Sequence, residues 1–210
     1  MKRLSLLSLL AFVILSYNIN AQDVDAQDFD GANCTSIMVG KDASTDGSVM
    51  TSHTCDSKYR TWARWEKAQE HEKGSMQKIY RGSMHTQDPY DSKGLKEVGE
   101  IPQASYTYAY LNTAYPCLNE KQLAIGETTF SGPDTLVNPE GMFMIEELER
   151  IVLQRCDNAR DAIRLIDELT KEYGYGDGGE CITIADPKEV WCLEIMGEGK
   201  KKKGAIWAAQ

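Results

Sequence analysis

"EELERIVLQRCDNARDAIRLIDELTKEYGYGDGGECITIADPKEVWCLEIMG" (residues 146–197) sets two amphipathic periods ahead of two β-rich runs. Around the first period, over 140–156, Met144, Leu148, Ile151 and Val152 recur at helical spacing. Over 157–176, Ala162, Leu165, Ile166 and Leu169 do the same, with Asp157 or Asn158 as cap and Gly174 as stop. Then "ECITIAD" (180–186), a turn at Pro187, "EVWCLEIMG" (189–197) and "GAIWAAQ" (204–210) read as three consecutive strands. Helices followed by a meander predict an α+β fold with antiparallel sheet, not a βαβ array.

Toward the N-terminus, "SYTYAYLNTAYPCLNEKQLAIGETTF" (105–130) reads as two strands around a bend at Asn119-Glu120-Lys121, with Tyr106, Tyr108 and Tyr110 on one face. Residues 58–103 are polar and lack a steady period. They read as irregular, with a short helix near 65–73; Trp62, Trp65, Tyr80 and Tyr90 either line a cleft or pin the segment to the core. Before them, "TSIMVG" (35–40), the turn "KDASTDG" (41–47) and alternating "SVMTSHTC" (48–55) make a β-hairpin with Cys34 at its leading edge.

The first residues have the form of a secretory leader over 1–21. Lys2 and Arg3 precede an apolar run, Leu4 to Leu15, and Ala21 stands at a cleavage position. The run is shorter than the ~20 residues of a spanning helix. Residues 22–33, "QDVDAQDFDGAN", hold four aspartates and read as a short acidic propeptide. The expectation is an exported chain, periplasmic or extracellular, with no membrane span.

A net charge of −9 argues against a nucleic-acid partner. The lysines at 200–203 sit between Gly199 and Gly204 and read as a solvated hairpin loop. The glycines of "YGYGDGGE" (173–180) lack the Lys-Ser/Thr ending of a phosphate loop. Six cysteines in an exported chain allow disulfides, yet their spacing is irregular. Without a CxxC or CxxH pair, and with His53, His71 and His85 scattered, neither a metal nor a cofactor is expected.

Cys34 invites a reading as nucleophile. A thiol needs a base, and one solution uses the residue's own α-amine once the preceding peptide is cleaved. That amine titrates near 7.7–8.0, roughly the working pH, and favours thiolate when cationic. Such a site needs no histidine, but it needs a removable leader and a strand that carries the new N-terminus into a cleft. Cys34 as a lipid anchor is disfavoured by Asn33 and by its distance from the apolar run. A buried or disulfide-bonded cysteine is the bland alternative, and a similar role is read for Cys55, Cys117, Cys156, Cys181 and Cys192.

With these residues the chain resembles the N-terminal-nucleophile cysteine dipeptidases, in their exported branch. The resemblance rests on "NCTSIMVGKDASTDGSVMTSHTCDS", "TYAYLNTAYPCLNEKQLAIGETTFSGP", the 146–197 block and "GAIWAAQ", in family order. It implies a four-layer αββα sandwich, autocatalytic cleavage after Asn33, and hydrolysis of dipeptides or short peptides, with Cys34 as nucleophile. Asp56 matches an acidic position that orients the amine in choloylglycine and penicillin V acylases. His53 stands where those acylases carry arginine and is a candidate substrate contact. Asn119 matches an asparagine that stabilises the oxyanion; a turn role is its alternative. Because family members continue past the "GAIWAAQ" strand, residues 34–210 are expected to be the N-terminal part of the peptidase domain. Competing readings are an amidase acting on bile-salt conjugates or penicillin V, and an inactive exported remnant. A homo-oligomer is compatible with all of these.

Overall fold

The computed structural model describes residues 34–56, 59, 62–86, 93–200 and 202–210. The leader, the acidic propeptide and Tyr90 lie outside the described residues. In chain order the strands are β1 (Ser36–Val39), β2 (Met50–His53), β3 (Arg64–Glu66), β4 (Gln69–Glu70), β5 (Met76–Arg81), β6 (Lys96–Pro102), β7 (Tyr106–Thr107), β8 (Tyr110–Asn112), β9 (Leu118–Asn119) and β10 (Ala124–Thr129). Helices α1 (Ile145–Arg155) and α2 (Ala159–Tyr173) follow, then β11 (Glu180–Ala185), β12 (Val190–Gly197) and β13 (Ala205–Ala209).

The main sheet has seven strands in the order β13-β12-β11-β10-β9-β8-β3, and each of these pairings is antiparallel. Its register sorts the side chains. Ile125 lies opposite Ile184, Glu127 opposite Ile182, Ile182 opposite Leu193, and Glu180 opposite Ile195. Directly opposed residues share a face, so these positions form one side of the sheet. That side is covered by the helices through Leu148, Ile151, Val152, Ala162 and Ile166, all buried in the same core. Each buried leucine or isoleucine stabilises the packing by roughly 1.5–3 kcal/mol relative to exposure. Trp207 of β13 fastens α2 to the sheet, its Nε1 donating to Asp167 at 2.8 Å.

Both helices are capped by aspartates from the strands' approaches. Asp177 accepts from the Ile145 amide at 3.0 Å, and Asp186 from the Ala159 amide at 2.9 Å. Asn158 is the local cap of α2, accepting from the Asp161 amide at 2.9 Å. Gly174 ends α2 with φ of 89°, a conformation for which glycine is suited.

The β1–β2 hairpin lies on the opposite side of the sheet. Thr51 Oγ1 donates to Thr183 Oγ1 at 2.9 Å, the Ser36 and Thr128 hydroxyls are hydrogen-bonded, and the His53 ring rests on Gly126. The layers are therefore helices, sheet and hairpin, an α+β arrangement as expected. No helix among the described residues is long and apolar enough to cross a membrane.

Three expectations change. The helix near 65–73 is absent: β3 and β4 occupy that stretch, and Trp65 is 49% exposed on a strand. The region expected to be irregular also contains the β5–β6 hairpin, whose strands pair through Met76–Pro102 and Arg81–Lys96 with a shift after Ile79. That shift breaks the alternation by which a hairpin is recognised. Tyr106, Tyr108 and Tyr110 do not share a face, because β7 and β8 belong to different sheets; Tyr106 is exposed and Tyr110 buried.

Candidate active site

Pairing in the β1–β2 hairpin continues beyond its strand ends. The Thr54 amide donates to the Thr35 carbonyl at 2.9 Å, and the Thr35 amide donates to Thr54 Oγ1 at 3.1 Å. The register that sets Ser36 opposite His53 therefore carries Cys34 opposite Cys55. On the sheet, β9 pairs with β10 at Leu118 and Ala124, and the hairpin packs against β10. There the Cys34 and Cys55 sulfurs and a Glu127 carboxylate oxygen all lie within 4.8 Å of one another. Tyr59 stands beside them, its ring edge-on to that of buried Tyr115 with centroids 5.2 Å apart.

The site is electronegative. Burial is the main effect raising the Cys34 thiol, and the charges of Glu127, Asp56 and Glu180 add to it, while the Asp56 backbone N–H hydrogen-bonds the sulfur and favours thiolate. Burial also pushes the Cys55 thiol up to about 12. Beneath the thiols lies a bed of buried acids. Glu127, Glu146, Glu149 and Glu180 are each at most 3% exposed. Burial raises all four above the ordinary carboxyl range, Glu146 to about 8 and Glu180 to about 10, the latter also through its contact with Glu127. Neither oxygen of Glu127, Glu146 or Glu149 makes a hydrogen bond of ordinary geometry, although Glu180 and Thr129 lie close to Glu127.

The expected site residues separate into two groups. Cys34 and Asp56 are together, joined through the Asp56 amide. His53 is held in the hairpin–sheet packing: a Cβ on Gly126 would fall 2.5 Å from its Nδ1, and burial pushes its imidazole toward the neutral form. It cannot reproduce the permanent charge of an arginine. Asn119 does not offer an oxyanion donor in this structure. Its Nδ2 donates to the Leu153 and Cys156 carbonyls, each at 2.8 Å, while its Oδ1 accepts from the Lys121 and Leu123 amides at 3.0 Å. Both amide hydrogens are used, so Asn119 braces the turn after β9 against the end of α1.

Cys55 and Glu127 were not anticipated as site residues. Counting the hairpin register outward from its turn leads to Cys55. For Glu127 the signal was a lone charge in the otherwise uncharged strand "AIGETTF". Glu149 gave no comparable signal, because glutamate is ordinary on a helix. The expectation of no metal rested on spacing alone; Cys34, Cys55 and Glu127 are three potential ligands brought together from distant positions.

Residues 33–210 match peptidase family C69. A "Probable dipeptidase" of Latilactobacillus sakei is 28% identical over 177 residues, covering 78% of this chain and 35% of that protein. A "Probable dipeptidase B" of Lactococcus lactis subsp. lactis is 26% identical over 181 residues, covering 84% of this chain and 36% of that protein. The chain thus spans about a third of the length of these curated relatives.

Proposed function

The chain belongs to peptidase family C69, and on that premise we propose that it is a cysteine dipeptidase whose nucleophile is Cys34, freed by cleavage after Asn33. The observation that carries this reading is the setting of Cys34: it leads into the first strand, its thiol touches a backbone amide, and among the described residues the side-chain charges acting on it are those of Glu127, Asp56 and Glu180. An anionic site holds a thiol protonated, so activation calls for a cation placed next to the sulfur. A freed α-amine is such a group, tethered to its own thiol.

In the proposed reaction the amine takes the thiol proton and the sulfur attacks the substrate carbonyl. The ammonium then protonates the departing amine, and water hydrolyses the thioester. The Asp56 backbone amide steadies the sulfur, and its carboxylate orients the ammonium. Export through the leader and a four-layer αββα sandwich belong to the same proposal. The layers of helices, sheet and hairpin support the sandwich, as do Ile37 and Met38, which expose apolar surface on the hairpin.

The test is the N-terminus of the active protein. A start at Cys34, with Cys34→Ala abolishing both processing and hydrolysis of alanyl-alanine, supports the reading. Full activity in a protein that retains residues 22–33 overturns it. Faster hydrolysis of penicillin V or a bile-salt conjugate than of dipeptides would reassign the substrate to acyl amides.

A further inference from the structure

Glu127 has the makings of a recognition group. It is fully buried in the sheet, neither oxygen makes an ordinary hydrogen bond, and one oxygen lies within 4.8 Å of the Cys34 sulfur. A buried carboxylate in that condition is costly unless a cation joins it. Among the described residues the charges acting on Glu127, Glu149 and Glu180 are themselves carboxylates, and the Glu180 and Thr129 side chains that lie close to Glu127 bring no positive charge.

The distance says which cation fits. In an α-aminoacyl group the nitrogen lies two bonds, roughly 2.5 Å, from the carbonyl carbon. A thiol poised for attack lies about 3–3.5 Å from that carbon. The α-ammonium of a residue whose own carbonyl is attacked therefore falls within about 3–5 Å of the sulfur, alongside an acceptor placed as Glu127 is. An acyl group without an amine, or a residue whose nitrogen lies in a peptide bond, would bring no cation to the buried carboxylate. That asymmetry gives strong discrimination.

Resting on Cys34 as nucleophile, we propose that Glu127 binds the free α-ammonium of the substrate's first residue and so confines cleavage to the bond after it. The substrate class is then peptides with an unblocked N-terminus, and Glu127 sets specificity without taking part in proton transfer.

The test measures binding apart from turnover. A dipeptide isostere with a ketomethylene group replacing the scissile amide, Ala-ψ[COCH2]-Ala, is titrated into the full chain by calorimetry, with its Nα-acetyl form as control. The free amine is expected to bind at least tenfold tighter, Glu127→Gln to erase that preference, and Glu149→Gln to keep it. Equal binding of the two isosteres, or no binding of the free amine, overturns the assignment. So does equal loss in Glu149→Gln, which would make the effect one of overall field. In turnover, Glu127→Gln should raise KM for alanyl-alanine more than it lowers kcat. An equal fall for acetylated and free substrates would mean that Glu127 pairs with the enzyme's own amine. A zinc titration that binds stoichiometrically and displaces the free-amine isostere from the wild type only by consuming both thiols, with Glu127→Gln retaining the amine preference, would assign the carboxylate to a thiolate metal site instead. Because the binding arms do not require hydrolysis, failure of Cys34 as nucleophile and failure of the ammonium subsite give different results.

Discussion

Cys34 lies opposite Cys55 at the open end of the β1–β2 hairpin, and the Glu127 carboxylate reaches within 4.8 Å of both sulfurs. Two thiols facing a buried acid resist ionisation, since each thiolate would add charge to a site already negative. Alkylation of Cys34 by iodoacetamide in the unprocessed chain should therefore still be accelerating above the ordinary thiol range of about pH 8.5. A chain beginning at Cys34 should react at lower pH, because its ammonium sits beside the sulfur. Mass mapping of the labelled cysteine against pH checks this, and coincident profiles would argue against activation by the α-amine.

Asn119 provides a contrast between bracing and catalysis. Asn119→Ala removes four hydrogen bonds and leaves the Leu153 and Cys156 carbonyls unpaired, a loss on the order of 3 kcal/mol. Asn119→Asp should be similarly damaging, because a carboxylate cannot donate to those carbonyls. Urea unfolding reads the effect. A large fall in kcat with unchanged stability would instead restore an oxyanion role.

At Gly126 the backbone approaches a ring. A methyl group there meets His53 Nδ1 at 2.5 Å, so Gly126→Ala should cost about 1–3 kcal/mol by overpacking. His53→Ala in the same chain should recover part of it, a coupling measurable in a double-mutant cycle.

The acid bed also makes stability depend on pH. Glu146 and Glu180 are raised to about 8 and about 10 in the folded chain, whereas unfolded glutamate titrates near 4.3. Between those values the folded state holds more protons than the unfolded one, so stability falls as pH rises. The melting temperature should be higher at pH 5 than at pH 8 and decline further toward 10. Glu146→Gln should flatten the lower part of that fall. A melting temperature rising steadily from pH 5 to pH 9 would contradict this ordering.

Local chemistry made much of the fold readable. The apolar periods of α1 and α2, the Asn158 cap and the Gly174 stop depend on neighbours within one or two turns of helix, and the strands after them alternate or run apolar between clear turns. The β5–β6 hairpin escaped because a register shift broke its alternation, and β3 and β4 because strands of three and two residues carry too little pattern.

The sequence by itself determined the helices, the meander and the place of Cys34 at the head of a strand, since each follows from short-range periodicity. Tertiary structure alone decided what surrounds that thiol. Cys55 arrives through hairpin register, Glu127 through the register of the sheet, and Glu149 through the packing of α1. Asn119, by contrast, is drawn away into the end of that helix. These residues come from distant parts of the chain, and their meeting depends on which faces are buried together, a property that residue spacing does not encode.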